Sequence, residues 1–287
     1  MLAFWKRECR SYFQSAVGYV FIAGILCMIG ANTYMTCISG RMPTFERVLT
    51  SSALIFLLMV PILTMRMFAE ERREGTMLFF YSMPIRLGSI VLGKYFALLT
   101  ILAVPLLVSA LYPVVLSLFG TLDMGIIAGT YVGFFAMGAA LLAVGLFFAA
   151  LLENQVAAAV ATFVVLLASY AMPSLSANIP AGAFTAFLVL VAVSLIFAVI
   201  WFVLTKNSIS ALVVALVLCL PLCLIYRLAP TMLEGVLNNL TDALSVYSRF
   251  YTFGEGIFDV TALVYYISLT ALMLFLSVQV LEYRRCR

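Results

Sequence analysis

Arg66, Glu70, Glu71, Arg72, Arg73, Glu74, Arg86 and Lys94 crowd one stretch of a chain that has only 16 basic and 12 acidic residues among its 287. The centre of the stretch reads FAEERREGT (68–76), and long apolar runs flank it. Mixed charges at this spacing can form ion pairs with a facing protein surface. They are poorly suited to covalent catalysis, and the rest of the chain does not help. There is no histidine, which removes Ser–His nucleophiles, the HExxH zinc site and histidine proton relays. No GxxxxGK[ST] phosphate loop is present, so the chain does not hydrolyse ATP by that route. The six cysteines show no metal-motif spacing, and buried cysteine otherwise behaves as a small hydrophobe. The charged stretch therefore reads as a docking surface.

The elements that must position it are membrane helices. The composition is 66% hydrophobic and 10% charged, whereas soluble domains carry about 25% charged residues. Apolar runs of about 17–25 residues can span a bilayer as helices. Eight are predicted, over 17–38, 48–65, 95–119, 125–152, 156–172, 183–204, 208–226 and 262–281. The second and fifth are short enough to be re-entrant instead, and six spans remain possible. The first is too long for a signal-peptide apolar core and reads as a retained span. Lys and Arg accumulate on the cytoplasmic side. With an even count and both termini inside, twelve of them fall inside and four, Arg41, Arg47, Arg227 and Arg249, fall outside. The 66–94 loop then faces the cytoplasm.

Residues 1–16 predict an amphipathic helix at the membrane surface. Leu2, Trp5, Cys9, Tyr12, Phe13 and Ala16 take one face, and Lys6, Arg7, Arg10 and Gln14 the other, a pattern suited to an interface. In the charged loop, 66–74 favours helix, Gly75 can end it in a left-handed turn, and Pro84 punctuates the apolar run 77–83. Gly125, Gly129 and Gly133 open the fourth span four residues apart; small residues at that spacing serve close packing, either within the chain or at a dimer seam. Pro61, Pro105, Pro113 and Pro221 lie inside spans, where proline bends helices. The outer segment 228–261 predicts a surface helix beginning near Pro230, then an aromatic stretch over 247–253. All twelve acidic residues lie outside the expected span cores. Intramembrane carboxylates commonly mark proton-coupled pumps, so energy for uphill transport would have to arrive from another subunit. Two places on the cytoplasmic face look specific enough to receive it: the loop 68–84 and the turn Glu153, Asn154, Gln155.

Taken together, LTMRMFAEERREGT (63–76), Pro84, LGK (92–94), LLENQVAAAV (151–160), FYTFGEGIFDVTALVYY (250–266) and LEYRR (281–285) resemble the permease subunits of type-2 ATP-binding cassette (ABC) exporters, most closely the gliding-motility-type subgroup. The resemblance covers roughly the first 170 residues and the last 40. It implies an all-α transmembrane bundle forming a single permease domain over 1–287, with a six-span core and an added pair at 183–226. It further implies that Glu70, Glu71, Arg72, Arg73, Glu74, Gly75, Thr76 and Pro84 form a coupling helix and loop seated on a separate ATPase. Glu153, Asn154 and Gln155 would make a second contact. The surface helix carrying Trp5, Arg7, Arg10 and Phe13 would also touch the ATPase. By the same resemblance the chain is not an enzyme and binds no cofactor, ATP and Mg²⁺ being held by the partner. Its partners would be the ATPase, a second permease copy or paralogue, and the bilayer of a bacterial plasma membrane, with no nucleic acid. Relatives often carry an acidic residue just after the Gly–Thr pair, where this chain has Met77, Leu78 and Phe79. A membrane scaffold or receptor without transport is the alternative reading of the same docking surface.

Overall fold

Wherever the described chain runs apolar for the width of a bilayer it is helical, since in hydrocarbon a helix satisfies its own backbone donors and acceptors. Residues 2–40, 44–73, 75, 87–178 and 245–285, with 187, 191, 194, 241 and 244, are described by the structure, a computed structural model, and no strand occurs among them. The elements are α1 (Leu2–Gln14), α2 (Ala16–Thr33), a π-helical extension Tyr34–Ser39, α3 (Phe45–Ser52), α4 (Phe56–Thr64) and α5 (Arg66–Arg73). There follow α6 (Leu87–Ser109), α7 (Leu111–Leu116), α8 (Met124–Leu151), α9 (Gln155–Asn178), α10 (Ser248–Gly254) and α11 (Val260–Arg285).

Six stretches among the described residues are long and apolar enough to cross a membrane: Ala16–Ser39, Phe45–Ala69, Leu87–Leu116, Met124–Leu151, Gln155–Ser174 and Val260–Arg285. The protein is an all-α, multi-pass membrane bundle. Of the further pair of spans expected at 183–226 only 187, 191 and 194 are described, and of the helix expected from Pro230 only 241 and 244 with the residues from 245 on, so neither expectation can be followed along its length. Two sequence boundaries move. The second span is not short, because α3, a 3-10 turn at Ala53–Ile55, α4 and the start of α5 follow one another over 25 residues. The third begins at Leu87 rather than 95, so Lys94 belongs to a helix and not to the loop.

The chain divides into two compact units, Met1–Ala168 with Val246–Arg287, and Ser169–Ser245. In the second, the Ser169 hydroxyl donates to the Leu244 carbonyl at 3.0 Å. In the first, α8 is the central helix: 72% of its most apolar window is buried, against 17% for α11. Phe134 of α8 sets the middle of the core, with its ring 4.8 Å from Phe56 and 5.6 Å from Phe250. Asp123 caps the start of α8, accepting from the backbone N–H groups of Gly125 and Ile126, which would otherwise lack partners.

The glycines at the start of α8 serve packing within the chain. A Cβ on Gly133 would lie 2.8 Å from the Phe253 ring, and one on Gly129 would lie 3.5 Å from Phe258. Thr130 adds a hydrogen bond from its hydroxyl to the Phe253 carbonyl at 3.0 Å. The small residues thus seat α10 and the aromatic turn after it against the central helix.

Candidate functional site

Two turns into α6, in an otherwise apolar run, stands Lys94, with only 1% of its surface exposed. A charge so placed is costly unless it is paired, and an ammonium has three donors to satisfy. Three acceptors surround it. Glu71 Oε1 of α5 is 2.9 Å away, Glu8 Oε1 of α1 is 3.3 Å away, and the Met67 carbonyl is 2.8 Å away. The Phe68 ring centroid lies 5.2 Å from Nζ, within cation–π range. Arg7 closes the cluster from its exposed side, with Nη2 at 2.8 Å from Glu8 and 2.6 Å from Glu71. Two cations and two carboxylates balance.

Local sequence explains the convergence. Met67, Phe68 and Glu71 are buried and share one face of α5, because residues three and four apart are helical neighbours. On α1, Trp5, Glu8 and Tyr12 recur at the same steps. Trp5 Nε1 donates to Thr100 Oγ1 of α6 at 3.0 Å, and the Tyr12 hydroxyl donates to the Leu63 carbonyl of α4 at 3.0 Å. α1 is therefore bolted to the bundle. Its face differs from the sequence expectation: Phe13 is exposed, whereas Glu8 is buried and inward. Burial pulls the Arg7 guanidinium down, but the hydrogen bonds and charges of Glu8 and Glu71 together outweigh it and hold it above its ordinary value.

The other expected site residues divide. Glu70, Arg72 and Arg73 lie in α5, and exposed Gly75 follows with φ +70°, the left-handed turn that its lack of a Cβ permits. Glu74, Thr76 and Pro84 lie outside the described residues. Glu153, Asn154 and Gln155 form the turn from α8 into α9, where the Asn154 side chain accepts from the Val156 N–H at 2.9 Å. Arg284 of α11 reaches this turn, pairing with Glu153 at 3.2 Å and donating to the Leu151 carbonyl at 2.7 Å. The short connection from α7 to α8 reverses the chain, so the start of α6 and the end of α8 share one end of the bundle. Sequence reasoning missed Glu8, Thr100 and the role of Lys94. The signal for the last was there: a lysine inside an apolar helix is rare and needs a partner.

This arrangement has no reacting group; it is an electrostatic lock. Moving α1 or α5 away would strip a carboxylate from a buried ammonium, so α1, α5 and α6 are held as one body. A family model described as ABC-2 family transporter protein matches residues 28–181, more than half of the 287-residue chain. The chain belongs to the ABC-2 transporter family. No curated protein and no solved structure gives a match. In this ABC-2 permease the matched stretch takes in Glu71, Lys94 and the 153–155 turn, while α1 with Arg7 and Glu8, and α11 with Arg284, lie beyond it.

Proposed function

We propose that this ABC-2 permease is the membrane-spanning subunit of an ABC exporter, most like the gliding-motility-type subgroup. Two copies, or one copy and a paralogue, enclose the pathway in a bacterial plasma membrane. A separate ATPase subunit holds ATP and Mg²⁺ and supplies the energy. The observation that carries the reading is the Glu8–Glu71–Lys94 lock, which joins a short charged helix at the end of the second span to the third span. A push on α5 is then passed to α6 directly through these side-chain contacts. Family membership makes the protein a transporter component, and its lack of histidine and of a phosphate loop favours an external energy source. The excess of Lys and Arg at the end with the termini supports a cytoplasmic placement.

Within this reading Glu71 is a strut and not a docking residue, since its side chain is turned into the cluster. Contact with the ATPase falls to Glu70, Arg72, Arg73, Glu74, Gly75, Thr76 and Pro84, with Glu153, Asn154 and Gln155 as the second place. The reading is tested by solubilising the tagged permease from its native membrane and identifying what elutes with it. The expected result is a P-loop ATPase in equal amount, whose turnover rises when both are returned to vesicles. A monodisperse permease without any such ATPase would favour a scaffold instead.

A further inference from the structure

Arg249 stands in the first turn of the short helix α10, at the other end of the bundle from the lock. Arg284, at the end of α11, meets the turn after α8, so the starts of α8 and α11 share the opposite end. There α10 is inserted into the bundle and does not lie across it. Phe250 packs 5.6 Å from Phe134, which is about 15 Å along α8 from its first residue, Met124. Tyr265 lies about 8 Å along α11 from its first residue, Val260. The Arg249 guanidinium stacks on that tyrosine, with Cζ 4.2 Å from the ring centroid.

The ring carries no counter-charge. Arg249 is half-buried, and its Nε is enclosed without a hydrogen-bond acceptor. Among the described residues no carboxylate pairs with it. Two acidic groups at this end are committed elsewhere: Asp123 caps α8, and Asp259 Oδ1 accepts from the Thr261 N–H at 2.8 Å. A third, Glu255, is exposed. A guanidinium does not shed its proton, and a cation at membrane depth is costly without an anion. We propose that Arg249 holds the phosphate of an anionic phospholipid in the leaflet at this end of the bundle.

The geometry suits that ligand. Stacking fixes the plane of the guanidinium and leaves its edges for hydrogen bonds. With Nε enclosed, the Nη pair is the edge that can grip two phosphate oxygens. Val264 and Ile267, to either side of Tyr265 in α11, are 59% and 68% exposed, an apolar surface on which acyl chains can lie. Tyr251, two residues beyond Arg249, is exposed as well, and tyrosine is favoured at headgroup level. A soluble anion would have to leave water to reach this depth, whereas a lipid brings its phosphate there on its own apolar chains. Arg47 of α3, at the same end, is exposed and needs no such partner.

The test uses the full-length permease in nanodiscs of equal phosphatidylcholine and phosphatidylglycerol, with lipids retained after transfer to detergent counted by native mass spectrometry. Wild type is expected to keep one phosphatidylglycerol in preference to phosphatidylcholine, whose choline cation opposes the arginine. Loss of a charge-assisted hydrogen bond to that lipid is worth about tenfold, so R249Q lowers the preference about tenfold. R249K keeps the charge without the fork and lowers it by less. R47Q removes an exposed cation at the same end and leaves the preference as in wild type. Equal retention of the two lipids by wild type overturns the proposal. So does an unchanged preference in R249Q or, where that variant does not fold, in R249K. An equal loss in R47Q would mean attraction by surface charge in general, and displacement of the lipid by inorganic phosphate would reassign the arginine to a soluble anion; either result overturns it too. The readout uses the permease alone, so its failure is distinct from failure of the ATPase reading.

Discussion

Lys94 Nζ and Glu71 Oε1 lie 2.9 Å apart, with the lysine 1% exposed and two turns inside the third span. That contact joins the last turn of α5, just past the end of the second span, to a helix of the third. A surface ion pair is worth about 0–1 kcal/mol, but this one is largely withdrawn from water. Its partners also include Glu8, the Met67 carbonyl and the Phe68 ring. Its value lies less in net stability than in what happens when one member is lost, because a charge would be left buried and uncompensated.

Removing that charge partner gives the first prediction. Lys94→Met takes the buried ammonium away from Glu8 and Glu71, and should destabilise the permease by about 3–5 kcal/mol. Glu71→Gln combined with Lys94→Met should cost less than the two single changes together, by about 0.5–3 kcal/mol. Thermal or denaturant unfolding of the detergent-solubilised protein measures both. Strictly additive losses would mean that the pair does not act as a lock.

The glycines of α8 make a paired prediction. Gly129→Ala meets Phe258 at 3.5 Å, an ordinary contact, and should be close to neutral. Gly133→Ala meets the Phe253 ring at 2.8 Å, and overpacking of this kind costs about 1–3 kcal/mol. Neither change should alter the oligomeric state seen by light scattering, because both glycines pack against residues of their own chain. A shift in oligomer mass with either variant would restore the dimer-seam reading.

At the turn after α8, Arg284 makes two kinds of contact. Its pair with Glu153 is exposed, the carboxylate side chain being 81% accessible, and such pairs contribute about 0–1 kcal/mol. Its bond to the Leu151 carbonyl at 2.7 Å satisfies the end of a helix, where cations are favoured. Glu153→Ala should therefore be nearly silent in unfolding, and Arg284→Ala should cost more. High salt should weaken the Glu153 contribution and leave the difference between the variants in place.

Much of the fold was legible in the chain because the bilayer imposes a length on apolar helices, and the described spans match the apolar runs. Gly75 was legible for a local reason: no other residue takes φ +70° so cheaply. Span ends were less so. The third span was read as starting after Lys94, since charge usually marks the water boundary; the lysine stays in the helix because three acceptors wait for it. Two of those acceptors lie 86 and 27 residues away in sequence, and no local pattern announces such distant partners. Glu8 was read past for a related reason. Trp5, Cys9 and Tyr12 marked its face as apolar, although their spacing places Glu8 on the same face.

The central claim is that α5 and the turn after it receive an ATPase while Glu71 holds them to the spans. It is tested most directly by comparing Arg72→Glu/Arg73→Glu with wild type for ATPase co-purification and ATP turnover, with thermal unfolding of the permease as the companion reading. The account predicts that the reversal releases the ATPase and returns turnover to that of the ATPase alone, while membrane insertion and unfolding stay as in wild type. Unchanged co-purification together with unchanged turnover would contradict it.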